Sequence, residues 1–202
     1  MALTDQSTQV RSGEELDAAL IDPYLKAHIP GLSGSAQISQ FPGGASNLTY
    51  LLKYPEQEFV LRRPPFGHKA KSAHDMGREF RILNQLKDAF PYCPKAYVHC
   101  TDESVIGAEF YVMERVKGII LRSELPAELN FDAAQTEALC KSFIDKLVDL
   151  HQVDYNACGL GDLGKPQGYV ERQIHGWTAR YEKALTPDAP SWEKVARWLD
   201  DK

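Results

Sequence analysis

Apolar positions repeat along this chain with two different periods, and the change falls past its middle. Leu16, Leu20 and Tyr24 recur at intervals of four behind Ser12-Gly13-Glu14-Glu15, which predicts a helix opened by a capping box. This leading helix is expected over 14–29, with Asp22-Pro23 as a kink or restart inside it and Gly31-Leu32-Ser33-Gly34 after it. From Ala36 the pattern shifts to short runs at 36–41, 48–54 and 58–63, the later two rich in β-formers. Pro55-Glu56-Gln57 is a tight connection, so the second and third runs should pair as a hairpin. The first two are joined by a turn-rich loop, Pro42-Gly43-Gly44-Ala45-Ser46-Asn47. Met76, Phe80, Leu83 and Leu86 then share one face of a helix expected over 72–89, and two more strands are expected at 96–101 and 109–115. The first half therefore reads as five strands with one inserted helix.

After Gly118 only the helical period remains. Asp132 can cap a helix to Leu150, with Leu139, Phe143, Leu147 and Leu150 as its buried stripe. Val170, Ile174, Trp177 and Tyr181 mark another helix, and Ser191 can cap a last short one with Trp192, Val195 and Leu199 inward. The fold class is α+β. Residues 1–13 are polar and expected to be disordered. Residues 14–117 form a strand-rich lobe, residues 118–202 a helical remainder, and the boundary falls near Lys117-Gly118.

A chain of 202 residues with 43% apolar residues can build a sizeable core. Its net charge of −5 argues against a protein whose main work is gripping nucleic acid. No stretch reaches the roughly 18 apolar residues of a membrane span, and Met1-Ala2-Leu3-Thr4-Asp5-Gln6 does not read as a secretory signal. Cys93, Cys100, Cys140 and Cys158 lack the spacing of a zinc or redox site. Cys140 falls on the apolar face of its helix, which suits a small core residue. A reducing, cytoplasmic location is expected.

Three segments can carry chemistry. In the first loop, Gly43-Gly44 lets backbone approach a ligand and adopt positive φ, while Ser46 and Asn47 add donors, so exposed amides there suit an anion. In Val60-Leu61-Arg62-Arg63, alternation sends Val60 and Arg62 to one face and Leu61 and Arg63 to the other. A cation beside a core Val needs an acid, and Glu79 borders the apolar stripe of the next helix. Tyr111-Val112-Met113-Glu114-Arg115-Val116-Lys117-Gly118 is an apolar strand running into a polar connector at the lobe boundary, where ligand clefts are favoured.

Together these give the order strand, Gly-rich loop, strand, cation-bearing strand, acid-bearing helix, two strands, connector, long helix. That is the order of the nucleotide-binding lobe of protein-kinase-like folds. Phe41-Pro42-Gly43-Gly44-Ala45-Ser46-Asn47-Leu48-Thr49-Tyr50, Phe59-Val60-Leu61-Arg62-Arg63-Pro64-Pro65, Arg78-Glu79-Phe80-Arg81-Ile82-Leu83 and Leu150-His151-Gln152-Val153-Asp154 closely resemble the aminoglycoside phosphotransferase-like family. The resemblance is to its branch associated with acyl-CoA dehydrogenases and covers about residues 14–202. It implies a protein-kinase-like fold with a five-stranded antiparallel N-lobe and the first helices of a C-lobe. It also implies ATP as phosphoryl donor, Mg²⁺, and a small-molecule hydroxyl as acceptor, of the hydroxyacyl-CoA type for this branch. Arg62 takes the place of the strand lysine that contacts the α- and β-phosphates, with Glu79 as its ion-pair partner. Gly43, Gly44, Ser46 and Asn47 lie over the phosphates. Met113 stands near the adenine pocket, and Glu114 and Val116 offer backbone hydrogen bonds to the base. Arg in place of Lys keeps the charge and adds a planar fork.

The family's base and metal ligands come from a His-Gly-Asp loop and a later Asp. None of the six histidines here is followed by Gly-Asp. His151-Gln152-Val153-Asp154 reads as a helix end and Asp162-Leu163-Gly164 as part of a Gly-rich loop. The chain is therefore expected to be the N-terminal portion of such a phosphotransferase, inactive by itself. A pseudokinase-like module binding nucleotide or a partner is the alternative. Apolar stripes left uncovered on the last helices would favour self-association.

Overall fold

A computed structural model describes residues 4–43, 47–67, 74–122 and 124–201. The first helix, α1 (Ala18–His28), is capped by Asp17, whose side chain accepts from the Ala19 N–H at 2.8 Å. The expected start behind Ser12 moves because Glu14 and Glu15, which would serve the capping box, are spent elsewhere. Glu14 accepts from Gln40 and Arg11, and Glu15 from the Gly13 N–H. Strands β1 (Gln37–Gln40), β2 (Leu48–Lys53), β3 (Glu58–Arg63), β4 (Ala96–Cys100) and β5 (Phe110–Glu114) form one antiparallel sheet in the order β1-β2-β3-β5-β4. Helix α2 (Met76–Leu86) lies between β3 and β4 in sequence, opened by Asp75, which accepts from the Arg78 N–H.

The period-two pattern sorts the sheet's two faces. Tyr50, Leu52, Phe59, Leu61, Phe110 and Val112 face one way and close the core with Ile21 and Leu25 of α1. Thr49, Arg62 and Tyr111 occupy one row across β2, β3 and β5 on the other face, where Phe80 of α2 packs edge-on to Tyr111 and stacks on His99. Alternation thus holds for both arginines. Arg63 goes to the core face, almost fully buried. Its guanidinium donates to the Pro64 and Ile106 carbonyls and stacks over Phe66, and burial pulls its pKa down.

Residues 4–13 are more ordered than their composition suggests. Thr8 bridges Gln40 as an added edge pair, and the Arg11 N–H donates to the Gln40 side chain. Expected to be disordered, this segment is held by unpaired edge groups of β1.

The turn leading into β1 requires a glycine. Gly34 has φ +78°, and a Cβ there would stand 2.8 Å from Pro55 Cγ. Gly34→Ala is expected to cost about 2 kcal/mol from backbone strain plus the clash, measured by urea unfolding.

A first compact unit runs to Leu160 and a second begins at Gly161. The connector at Lys117–Gly118 lies inside the first. Helix α3 (Ala133–His151) starts at Asp132 with the full capping box, Asp132 with Gln135. Its stripe was expected to be buried, but Phe143 is 67% exposed and Leu147 and Leu150 are also exposed. Cys140, expected in a core, is exposed as well. Leu139 of the same stripe is half-buried. The second unit holds α4 (Tyr169–Ala184) and α5 (Glu193–Asp200). The N-cap of α5 is Trp192 rather than Ser191, with no side-chain cap bond, and Trp177 and Val195 are exposed. No helix among the described residues is long and apolar enough to cross a membrane.

Candidate nucleotide site

Two features meet on the sheet face that carries α2: a charged cluster and a cavity. In the cluster, Arg62 and Glu79 face each other, with Arg62 Nη1 3.5 Å from Glu79 Oε2. Glu79 is the hub. Its Oε2 also accepts from the Tyr111 hydroxyl at 2.9 Å, and its Oε1 accepts from Asn47 Nδ2 at 2.9 Å. Asn47 Oδ1 lies 2.7 Å from His74 Nδ1, so that ring nitrogen carries the proton. Burial, then the nearby Glu79 carboxylate, pushes the Tyr111 hydroxyl's pKa well up, against the pull of Arg62, so it stays a donor.

Glu79 is thus fixed from three sides, and Arg62 is only loosely engaged. Arg62 Nε is buried and has no hydrogen-bond partner among the described residues. A buried donor without a partner costs about 1–3 kcal/mol, and an anionic ligand reaching the guanidinium fork would relieve it. That observation fits a phosphate at Arg62.

The cavity, of about 570 Å³, begins one step along the same strand. Phe41, Val60 and Met113 provide apolar surface, and the run from Glu114 to Ile120 forms its rim. Val116 is exposed, and its backbone N–H and C=O make no hydrogen bond among the described residues. The Glu114 N–H is already donated to the Lys95 carbonyl at 2.8 Å, so Val116 supplies the free backbone edge. A flat heterocycle held between apolar walls and such an edge fits this space.

The expected residues therefore separate by role. Arg62 and Glu79 come together, and Met113, Glu114, Val116 and Gly43 all line the cavity. Gly43 does not use its freedom, since its φ is not positive. Asn47 was expected to lie over phosphates. It is instead buried, with both ends of its amide committed to Glu79 and His74. Gly44 and Ser46 lie outside the described residues. Tyr111 and His74 escaped the sequence reading. Alternation could have placed Tyr111 beside Arg62 only if β5 were known to neighbour β3. His151 ends α3, and Asp154 caps the next turn through the Asn156 and Ala157 N–H groups, as helix-end residues do. Among the described residues no group of three His, Cys, Asp or Glu gathers to hold a metal ion.

A model of the phosphotransferase enzyme family, APH, matches residues 37–202. The chain belongs to this family. It is 34% identical over 203 residues to acyl-CoA dehydrogenase family member 11 of Gallus gallus, covering 98% of this chain and 26% of that protein. It is 34% identical over 191 residues to acyl-CoA dehydrogenase family member 10 of Mus musculus, covering 94% of this chain and 18% of the mouse protein. The chain spans about a quarter or less of these relatives. A crystal structure assigned as an aminoglycoside phosphotransferase of Ralstonia eutropha superposes with a TM-score of 0.74 at 34% identity, over 93% of this chain and 54% of that one. The five-stranded antiparallel sheet with its helices is thus the kinase-like phosphotransferase fold.

Proposed function

We propose that this chain binds ATP for transfer of the γ-phosphoryl group to a small-molecule hydroxyl. The observation that carries this is the partnerless Nε of Arg62, on a guanidinium facing Glu79, beside a cavity of about 570 Å³ with a free backbone edge at Val116. The adenine lies over Val60 and Met113, which are neighbours across β3 and β5, and hydrogen-bonds to the Val116 backbone. The triphosphate runs past Gly43 to Arg62, whose charge draws off phosphate negative charge. Glu79, tied by Asn47 and Tyr111, keeps Arg62 turned toward the phosphates and away from the strand row. Bound ATP supplies the transferable phosphoryl group.

The acceptor we propose is a hydroxyacyl-CoA-type alcohol, a reading supported by relatives that carry acyl-CoA dehydrogenase names. Phosphoryl transfer needs a base and metal ligands, and this sequence has no His-Gly-Asp. Residues 1–202 by themselves are therefore expected to bind ATP without transferring it. A reducing cytoplasm suits the four unpaired cysteines.

Calorimetric titration tests this reading. Wild type should bind ATP and adenosine at one site. Val60→Phe, which fills the base cavity from a strand position without touching Arg62, should weaken both by about tenfold. Unchanged binding of both ligands by a folded Val60→Phe protein would refute the placement of the base.

A further inference from the structure

The cavity has one wall that the strands do not supply. Thr4 and Asp5 line it, and so does Arg122 beyond the connector. This N-terminal segment is anchored at two places. Thr8 exchanges both backbone hydrogen bonds with Gln40 at the end of β1, at 2.8 and 2.9 Å, and Ser39 Oγ donates to Ser7 Oγ at 2.7 Å. Three residues earlier, the Asp5 carbonyl accepts from Arg115 Nη2 at 3.3 Å, and the Asp5 carboxylate pairs with Arg122 Nη2 at 3.2 Å. The other terminal nitrogen of Arg122 lies 3.9 Å from where a Cβ on Gly43 would stand. One guanidinium therefore reaches from the N-terminal segment to the start of the β1–β2 turn, across the mouth of the cavity.

We propose that residues 4–8 are an outer wall of the nucleotide site and that the Asp5–Arg122 ion pair is a latch that slows nucleotide release. This rests on the ATP reading above. The segment is a wall and not a plug, because the cavity keeps its volume of about 570 Å³ with Thr4 and Asp5 in place. The Thr8 bridge ties the segment to the strand that leads into the β1–β2 turn. The Arg115 and Arg122 contacts tie it to the connector on the other side. Both latch side chains are partly solvated, with Arg122 62% and Asp5 30% exposed. Such a pair is weak and screened by salt, so it can open at each exchange of nucleotide.

Stopped-flow release of a fluorescent N-methylanthraniloyl-ATP tests the latch. Asp5→Asn and Arg122→Gln should each speed release about two- to fivefold, the size of an exposed ion pair, with association nearly unchanged. The charge-swapped double variant, Asp5→Arg with Arg122→Asp, should restore slow release. Raising ionic strength should bring the wild-type rate toward that of the single variants. Single variants that release at the wild-type rate overturn the latch. Hydrogen exchange without nucleotide provides a readout that needs no ATP: the Thr8 and Gln40 amides should exchange faster in Asp5→Asn. Unchanged exchange there overturns the wall even if ATP binds. If wild type fails to bind ATP yet shows this Asp5-dependent protection, the wall is supported and the nucleotide reading falls.

Discussion

Arg62→Ala is expected to weaken ATP binding about 10- to 100-fold while adenosine binding changes less than about threefold. That range is what one or two charge-assisted hydrogen bonds contribute, at about 1.5–3 kcal/mol. The split between the two ligands decides the role. Arg62 occupies the row on β3 next to the cavity, not its apolar wall, so losing it should be felt by phosphates and not by the base. The substitution also leaves Glu79 without its cation. Asn47 and Tyr111 still hold that carboxylate in place, so α2 should stay put and present an unneutralised charge to the triphosphate. Arg62→Lys should recover part of the affinity, since it keeps the charge but loses the fork. Isothermal calorimetry gives both affinities. Equal ATP affinity in Arg62→Ala and wild type would remove Arg62 from the site.

Asp22→Ala should be among the most damaging single changes to the fold, at about 2–4 kcal/mol, because it strands the buried Tyr54 hydroxyl and takes the acceptor from the part-buried Ser35 and Ala36 donors. Asp22 is buried inside α1 and accepts from the Ser35 hydroxyl, the Tyr54 hydroxyl at 2.8 Å and the Ala36 N–H at 3.2 Å. It ties the helix to the turn before β1 and to the end of β2. A typical domain has only about 5–15 kcal/mol to lose. The same contacts set a pH dependence. Burial pushes the Asp22 carboxyl pKa up, and the three donors outweigh it, so the net shift is down. A carboxyl whose folded pKa is depressed stabilises the fold fully above its unfolded pKa, near 3.9, and loses that contribution as pH falls through the folded value. Urea unfolding of wild type should therefore weaken from about pH 5 downward, and Asp22→Asn should show a flatter profile across the same window. Parallel profiles would contradict this assignment.

How much of this was legible in the sequence depends on the range of the interaction. Alternation along β3 is local, and it correctly separated Arg62 from Arg63. Asp132 with Gln135 is local too, and the capping box stands where the spacing put it. Pairing between distant strands is not local. The order β3-β5-β4 brings Tyr111 beside Arg62, and no run of residues announces that neighbour. Alternation put Arg63 with Leu61, but not the groups that make its burial tolerable: the neighbouring Pro64 carbonyl, the distant Ile106 carbonyl and the Phe66 ring. Local signals also competed. Ser12 offered a helix start, and the helix begins behind Asp17 instead, because Glu14 and Glu15 found partners in Arg11, Gln40 and the Gly13 N–H. The stripe on α3 was read correctly as apolar, but a stripe records only that a surface is apolar and does not identify what covers it.

Photolabelling with 8-azido-ATP tests the nucleotide site most directly, because the azide sits on the base and reports where the base lies. The account predicts labelling confined to the peptide that carries Met113 to Ile120, with protection by unlabelled ATP and loss of label in Val60→Phe. Labelling on the α1 face of the sheet, or labelling that ATP does not displace, would contradict it.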